Sequence, residues 1–364
     1  MQLPTNWPDA TQPSEPIPAA QLFQLSQQQQ QDFVHYFNAP VNQSRAPNWR
    51  LYDYLEGRLA GFDYKGDTYT AQQALEKNAG NCLSLALVTG ALAKLVGLEL
   101  DYQQVDSAPV YRMQNNLLML SSHVRTKVYD PSFKPEKDIL YLSRPGVVID
   151  YLPARGDRYG AKRTEQDVIA MFYQNQAAEA LVNNQLTLAY QLSRRALQHG
   201  QLNPGSLNSL AVAYSRAGLI DESAQTYAYA RERGATSLEL LDNYRKLLLR
   251  QGKRAEAAEI AVQLGNVDDA NPYNWLSLAE GFFAEGKVHY ALENYLKAQQ
   301  LAPYLEESYL GLAKSYHAMG KLVKASEALE KAIALSYQTR QRQLYEAKLS
   351  TLRASAHSGE EVSR

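Results

Sequence analysis

The stretch WLSLAEGFFAEGKVHYALENYLKAQQLAP, residues 275–303, decides the architecture of this chain. Trp275, Leu278, Ala279 and Phe282 fall at helical spacing on one face, and Ala291, Tyr295 and Ala298 do the same in a second segment. Gly286 stands between the two and Pro303 closes the stretch, which reads as two antiparallel helices joined by a tight turn. Stepping outward by 34 residues, turn residues recur at Asn184, Gly218, Gly252, Gly286 and Gly320. Five positions after each comes a small residue: Ala189, Ser223, Ala257, Ala291 and Ala325. Twelve positions after the turn stand Ala196, Ala230, Leu264, Ala298 and Ala332, and seven before it Ala177, Ala211, Arg245, Ala279 and Ala313. A register held through five units is an internal repeat, not a coincidence of composition.

Close helix crossing needs Gly or Ala where backbones meet, and large residues then fill the space between units. The residues at 275–303 resemble the tetratricopeptide pattern, as do Leu210, Ala211, Tyr214, Gly218, Tyr227 and Ala230, and Tyr309, Leu312, Ala313, Tyr316, Gly320, Ala325 and Ala332. The first unit is degenerate. The third carries Arg245 and Leu264 where small residues belong, so a local distortion is expected there. Five repeats span 164–336, a capping helix follows over 337–354, and a disordered tail is expected over 355–364. The resemblance implies an all-α solenoid whose first helices line a groove for a protein or peptide partner. Register places Asn208, Arg216, Lys246, Arg250, Glu280, Phe283 and Lys314 on that face. Its four basic residues suit an acidic tail or a terminal carboxylate.

The region before the repeats follows another pattern. Residues 1–20 are Pro-rich and polar and are expected to be a disordered leader. Residues 21–160 read as a separate α+β domain. Helices are predicted over Gln21 to Asn38, Trp49 to Leu59, Thr70 to Lys77 and Cys82 to Val96. Strands are predicted over Glu99 to Val105, Val110 to Met113, Leu118 to Val128 and Val147 to Leu152.

Cys82 is the chain's single cysteine, which excludes intrachain disulfides and a cysteine-based metal cluster. It follows Gly80-Asn81 at the first turn of an apolar helix, where backbone N–H groups favour a thiolate and can hold an oxyanion. A thiolate nucleophile needs a base and an orienting acid. Of six histidines, His199, His289 and His317 fall in repeat helices, His357 in the tail and His35 in the first helix. His123 opens a strand. Asp150 ends an apolar one, with Asp130, before Pro131, as the other acid. Thr70-Ala71, Gly80-Asn81-Cys82, the long apolar helix, Gly97-Leu98, the His123 strand and the Asp150 strand together resemble the transglutaminase-like branch of papain-like cysteine enzymes, over about Tyr52 to Leu152. The resemblance implies a Cys82 nucleophile completed by His123 and Asp150. Two features depart from the family: Val124, Arg125 and Thr126 follow His123 where an aromatic residue usually stands, and a proline-bearing segment of roughly 20 residues separates the His and Asp strands.

The implied activity is a cysteine-dependent amide hydrolase, of protease or amidase type, whose repeats recruit a protein or peptide substrate. The alternatives are a non-catalytic repeat adaptor with a degenerate transglutaminase-like domain, or a bacterial transamidase. No cofactor or metal is expected, and no calcium-loop pattern occurs. At a net charge of −1, with no phosphate-cradling glycine loop and no clustering of basic residues with aromatics, nucleic-acid binding is not expected. No apolar run reaches the roughly 18 residues of a membrane span. A Pro-rich polar leader fits a tether after a removed signal, with a lipid anchor lost along with it. The expected compartment is therefore the periplasm or cell envelope, with the cytoplasm as the alternative.

Overall fold

The computed structural model describes residues 2–8, 15–64, 67–106, 112–114, 117–119, 123–135, 143–151, 158–200, 202–336 and 339–361. They form two compact units, Met1–Thr236 and Ser237–Arg364.

The first unit is built on one helix. In α4 (Cys82–Leu95) every residue from Cys82 to Ala93 is buried, as expected of a helix that is apolar on all sides. Around it pack α1 (Gln27–Asn38), α2 (Pro47–Arg58), α3 (Ala71–Lys77) and one face of a sheet. The caps of α1 and α3 are written in sequence. Ser26 with Gln29, and Thr70 with Gln73, form reciprocal capping boxes that satisfy the first N–H groups of each helix. The first helix begins at Gln27, after a short 3₁₀ turn at Ala19–Gln21, and not at Gln21 as the apolar spacing alone predicted.

The four-stranded antiparallel sheet comprises β3 (Leu100–Asp106), β6 (His123–Tyr129), β7 (Gly146–Ile149) and β8 (Arg158–Arg163), in the order β7-β6-β3-β8. β1 (Asp63–Tyr64) pairs in parallel with β2 (Ala79–Gly80), and β4 (Arg112–Gln114) forms a hairpin with β5 (Leu117–Met119). The expected strand Leu118 to Val128 is thus two strands. Val110 and Leu152, the outer ends of two other expected strands, lie outside the described residues. β8 was missed because its charged, glycine-bearing stretch lacks an apolar alternation. It pairs with β3 on the sheet's far edge, so the order is not a simple meander.

The change to repeats near residue 164 is a change of secondary-structure class and not a break in the core. α5 (Glu165–Val182), α6 (Leu186–Gln198), α7 (Pro204–Arg216) and α8 (Ile220–Glu232) are the first two repeat pairs and belong to the first unit. One apolar cluster joins Leu83 and Leu87 of α4 to Phe172 and Tyr173 of α5, Leu192 of α6 and Ala213 of α7. The expected leader also differs. Pro4, Thr5 and Ile17 give carbonyls to side chains of α5, α6 and α7, and Trp7 stacks on α6. Trp7 and Ile17 are the apolar anchors that the proline content obscured.

The second unit contains α9 (Leu238–Arg250) and α10 (Arg254–Gly265), α11 (Pro272–Ala284) and α12 (Val288–Leu301), and α13 (Glu306–Ala318) and α14 (Leu322–Leu335). α15 (Thr339–Glu361) packs on α14, where a cap was expected, and continues past Ala354 into the expected tail. Through both units the turn positions take left-handed backbone, at Asn184, Gly218, Gly252, Gly286 and Gly320. That conformation is why glycine recurs there. The small positions are buried where helices cross, and Ser223 Oγ donates to the Ala211 carbonyl at 2.8 Å across one such crossing.

The third repeat does not distort. α9 and α10 are a regular pair, and Leu264 is buried. Arg245, only 1% exposed, is held by ion pairs: Nη2 lies 2.6 Å from Asp242 Oδ1 and 2.5 Å from Glu285 Oε1. Its guanidinium also sits 4.6 Å from the centre of the Phe282 ring.

Candidate functional site

Cys82 occupies the first position of α4, with Asn81 as N-cap. Gly80, at φ 144, has the backbone that admits the turn, and an added Cβ would meet Ser84 Oγ at 2.9 Å. Asn81 Oδ1 accepts from the Ser84 amide at 3.0 Å, and its Nδ2 donates to Thr68 Oγ1 at 2.7 Å. Thr68 is pinned in turn by the first repeat helix. Its amide donates to Glu179 Oε1 at 3.0 Å, and Gln176 Nε2 donates to its carbonyl at 2.7 Å. Gly80-Asn81-Cys82 thus starts and anchors a helix, whatever the sulfur does. Cys82 as a residue is 3% exposed.

The sheet register shows what faces the cysteine helix. Val124, Thr126 and Val128 of β6 are fully buried, and β6 packs on α4, while Arg125 and Lys127 alternate to the other side. Arg125 there donates to Gln103 Oε1 and lies 3.5 Å from the centre of the Tyr159 ring. In β7 and just beyond, Val147, Ile149 and Tyr151 are buried, with Val148 exposed and Asp150 half-buried between them. The Tyr151 hydroxyl bonds Thr89 Oγ1 at 2.5 Å and Thr126 Oγ1 at 2.9 Å, joining helix to sheet.

Cys82 and Thr89 lie seven residues apart on one helix face, about 10 Å along the axis. His123 and Thr126 are three residues apart on β6, again about 10 Å. Tyr129 of β6 meets Glu99 just past the end of α4, so the two elements run the same way and His123 is level with Cys82. Asp150 has the outward parity of Val148. His123 has the register parity of Arg125, paired with Val105, and its side chain lies outside the described residues. Among the described residues, Thr89, Thr126 and Tyr151 form one hydroxyl cluster between helix and sheet. Tyr64 and Tyr151 lie within electrostatic reach of the Cys82 sulfur. Burial, with a smaller contribution from that sulfur, raises both phenols above their ordinary range, so they are neutral neighbours. Asp130 accepts from the Ser132 amide at 2.9 Å and from the Ser132 hydroxyl at 2.6 Å, as a turn former does.

The expected groove residues divide between the units. In the first, Asn208 is buried beneath the Tyr227 hydroxyl, and Arg216 donates to the Leu181 carbonyl at 2.7 Å, capping α5. In the second, α9, α11 and α13 share a strip of paired charge. Lys246 lies 2.7 Å from Asp242, and Lys314 of α13 lies 3.0 Å from Glu280 of α11. Gly281 leaves room for Lys246 to approach α11, and Phe283 is half-buried. Arg250 is exposed. With Lys246 and Lys314 already matched by acids, the strip is of mixed charge and not a basic clamp. Sequence spacing missed Asp242, Arg245 and Glu285, because an arginine in a small-residue slot reads as a defect until its partners are seen.

The chain is thus a mixed α/β region followed by paired helices of the tetratricopeptide kind. Neither a family model nor a curated protein matches its sequence. Similar solved structures include YrrB, described as a tetratricopeptide protein with an unusual peptide-binding site, at 16% identity over 50% of this chain and 94% of that one, with a TM-score of 0.32. The MamA protein is similar at 16% identity over 46% of this chain and 91% of its own, also with a TM-score of 0.32. Likeness at that level adds nothing to the repeat register and helix pairs already described. The α/β region has no family assignment.

Proposed function

We propose that the chain is a binding protein that presents its repeat helices to a protein or peptide partner, with the α/β region as a structural platform. The observation that carries this reading is the run of paired helices with left-handed turns at Asn184, Gly218, Gly252, Gly286 and Gly320. The partner surface is the exposed strip on α9, α11 and α13, where paired charges flank Phe283. Such a strip favours an extended segment of mixed charge with an apolar anchor.

A second reading, the cysteine amide hydrolase of transglutaminase-like type, keeps one specific observation in its favour: Cys82 stands at the first turn of α4, level with the start of β6. In that reading Cys82 is the nucleophile, His123 the base and Asp150 its orienting acid.

Affinity capture separates the two. Wild type and Cys82→Ala are expected to retain the same partners in equal yield, and Lys314→Glu, which sets like charges against Glu280, is expected to lose them. Accumulation of captured polypeptide on Cys82→Ala alone marks a trapped substrate and supports the hydrolase instead.

A further inference from the structure

The segment Pro4–Trp7 is held by the repeat helices of its own unit as a ligand is held. The Pro4 carbonyl accepts from Tyr214 Oη at 2.9 Å and from Arg194 Nη1 at 3.2 Å. The Thr5 carbonyl accepts from Tyr190 Oη at 3.0 Å. The Trp7 indole stacks on the Tyr190 ring, with centroids 4.5 Å apart and planes 14° apart, and tilts against Tyr214 at 5.6 Å. Its Nε1 donates to Thr187 Oγ1 at 3.3 Å. The segment has no regular secondary structure, and the Thr5 and Asn6 side chains are exposed.

Every polar contact to Pro4 and Thr5 in this set reads a main-chain carbonyl, and the one side chain read is the indole. Donors fixed on helices, an aromatic shelf and a hydroxyl for the indole N–H make a receptor for an extended peptide. A loop that merely covers apolar surface needs none of the three carbonyl bonds.

We propose that the α6–α7 face is a peptide-binding site for segments of Pro-x-x-Trp type, and that the chain's own Pro4–Trp7 occupies it, so that a partner peptide of this chemistry must displace it. The site is separate from the α9, α11 and α13 strip and stands whether or not that strip binds. Tethering supplies the resident segment at an effective concentration on the order of millimolar. A free peptide that binds with a Kd of about 0.1 mM therefore loses roughly tenfold in apparent affinity to it.

The test uses the full chain and a fluorescein-labelled peptide of the sequence at residues 2–8. Trp7→Ala, which empties the shelf, is expected to bind the peptide on the order of tenfold more tightly than wild type. Adding Tyr190→Ala removes that binding, and a peptide with alanine in place of tryptophan shows none. Equal or absent binding to wild type and a Trp7→Ala chain of unchanged circular dichroism overturns the proposal. Should Trp7→Ala fail to fold, wild type carrying 5-fluorotryptophan decides. Excess unlabelled peptide must shift the Trp7 fluorine resonance to its solvent-exposed position, and an unchanged resonance under saturating peptide overturns the site. Light scattering covers exchange of the segment between copies: a dimer that peptide dissolves supports the receptor, and one indifferent to peptide overturns it.

Discussion

Arg245→Ala is expected to weaken the second unit by about 3 kcal/mol, read as faster hydrogen exchange in α9 and α11. Removing one member of a buried ion pair costs roughly 3–5 kcal/mol, because the remaining charges stay desolvated. The lower end applies, since Lys246 still neutralises Asp242 at 2.7 Å and Lys287 still lies 3.0 Å from Glu285. Arg245→Met, which keeps the volume over Phe282, is expected to cost less than Arg245→Ala. The same cluster sets an acid limit. Hydrogen bonding from Arg245, ahead of the smaller contribution from Lys287, lowers Glu285 to about 2 from its ordinary 4.5. Because the folded value is the lower one, the unfolded chain binds more protons between these two values. This contribution is complete above about pH 4.5 and is lost as pH falls toward 2. Glu285→Gln should flatten that part of the stability profile.

Gly311→Ala is expected to destabilise α12–α13 packing by about 2 kcal/mol. A Cβ there would fall 2.1 Å from Tyr295 Cε1 and 2.3 Å from Cδ1, and Tyr295 is wholly buried. Overpacking costs roughly 1–3 kcal/mol and outweighs the ~1 kcal/mol that alanine gains over glycine inside a helix. The sign should reverse where the ring is gone. With Tyr295→Ala in place, Gly311→Ala should stabilise by up to about 1 kcal/mol, and a double-mutant cycle reads the difference. Equal cost in both backgrounds contradicts the contact.

The repeats were legible because their physics is local and periodic. Left-handed turns ask for Gly or Asn every 34 residues, and helix crossings ask for Ala. What depends on pairing over distance was not legible. Arg245 looked like a flaw because Glu285 stands 40 residues away. Trp7 looked like part of a leader because Tyr190 lies far along the chain. The cysteine region was half legible. Asn81 and Gly80 do cap α4 as the spacing implied, but strand parity is decided by one-residue shifts that an irregular apolar pattern does not fix. Val124 and Val128 marked the buried face of β6 correctly, and the same alternation places Thr126 between them, where it meets the Tyr151 hydroxyl.

Alkylation of the native full chain by iodoacetamide at pH 7, followed by intact mass and compared with the chain unfolded in urea, tests the binding-protein reading most directly. At 3% exposure, Cys82 should react on the order of a hundredfold more slowly in the native chain. Native labelling faster than in the unfolded chain would mean an activated thiolate in an open site, and would contradict it.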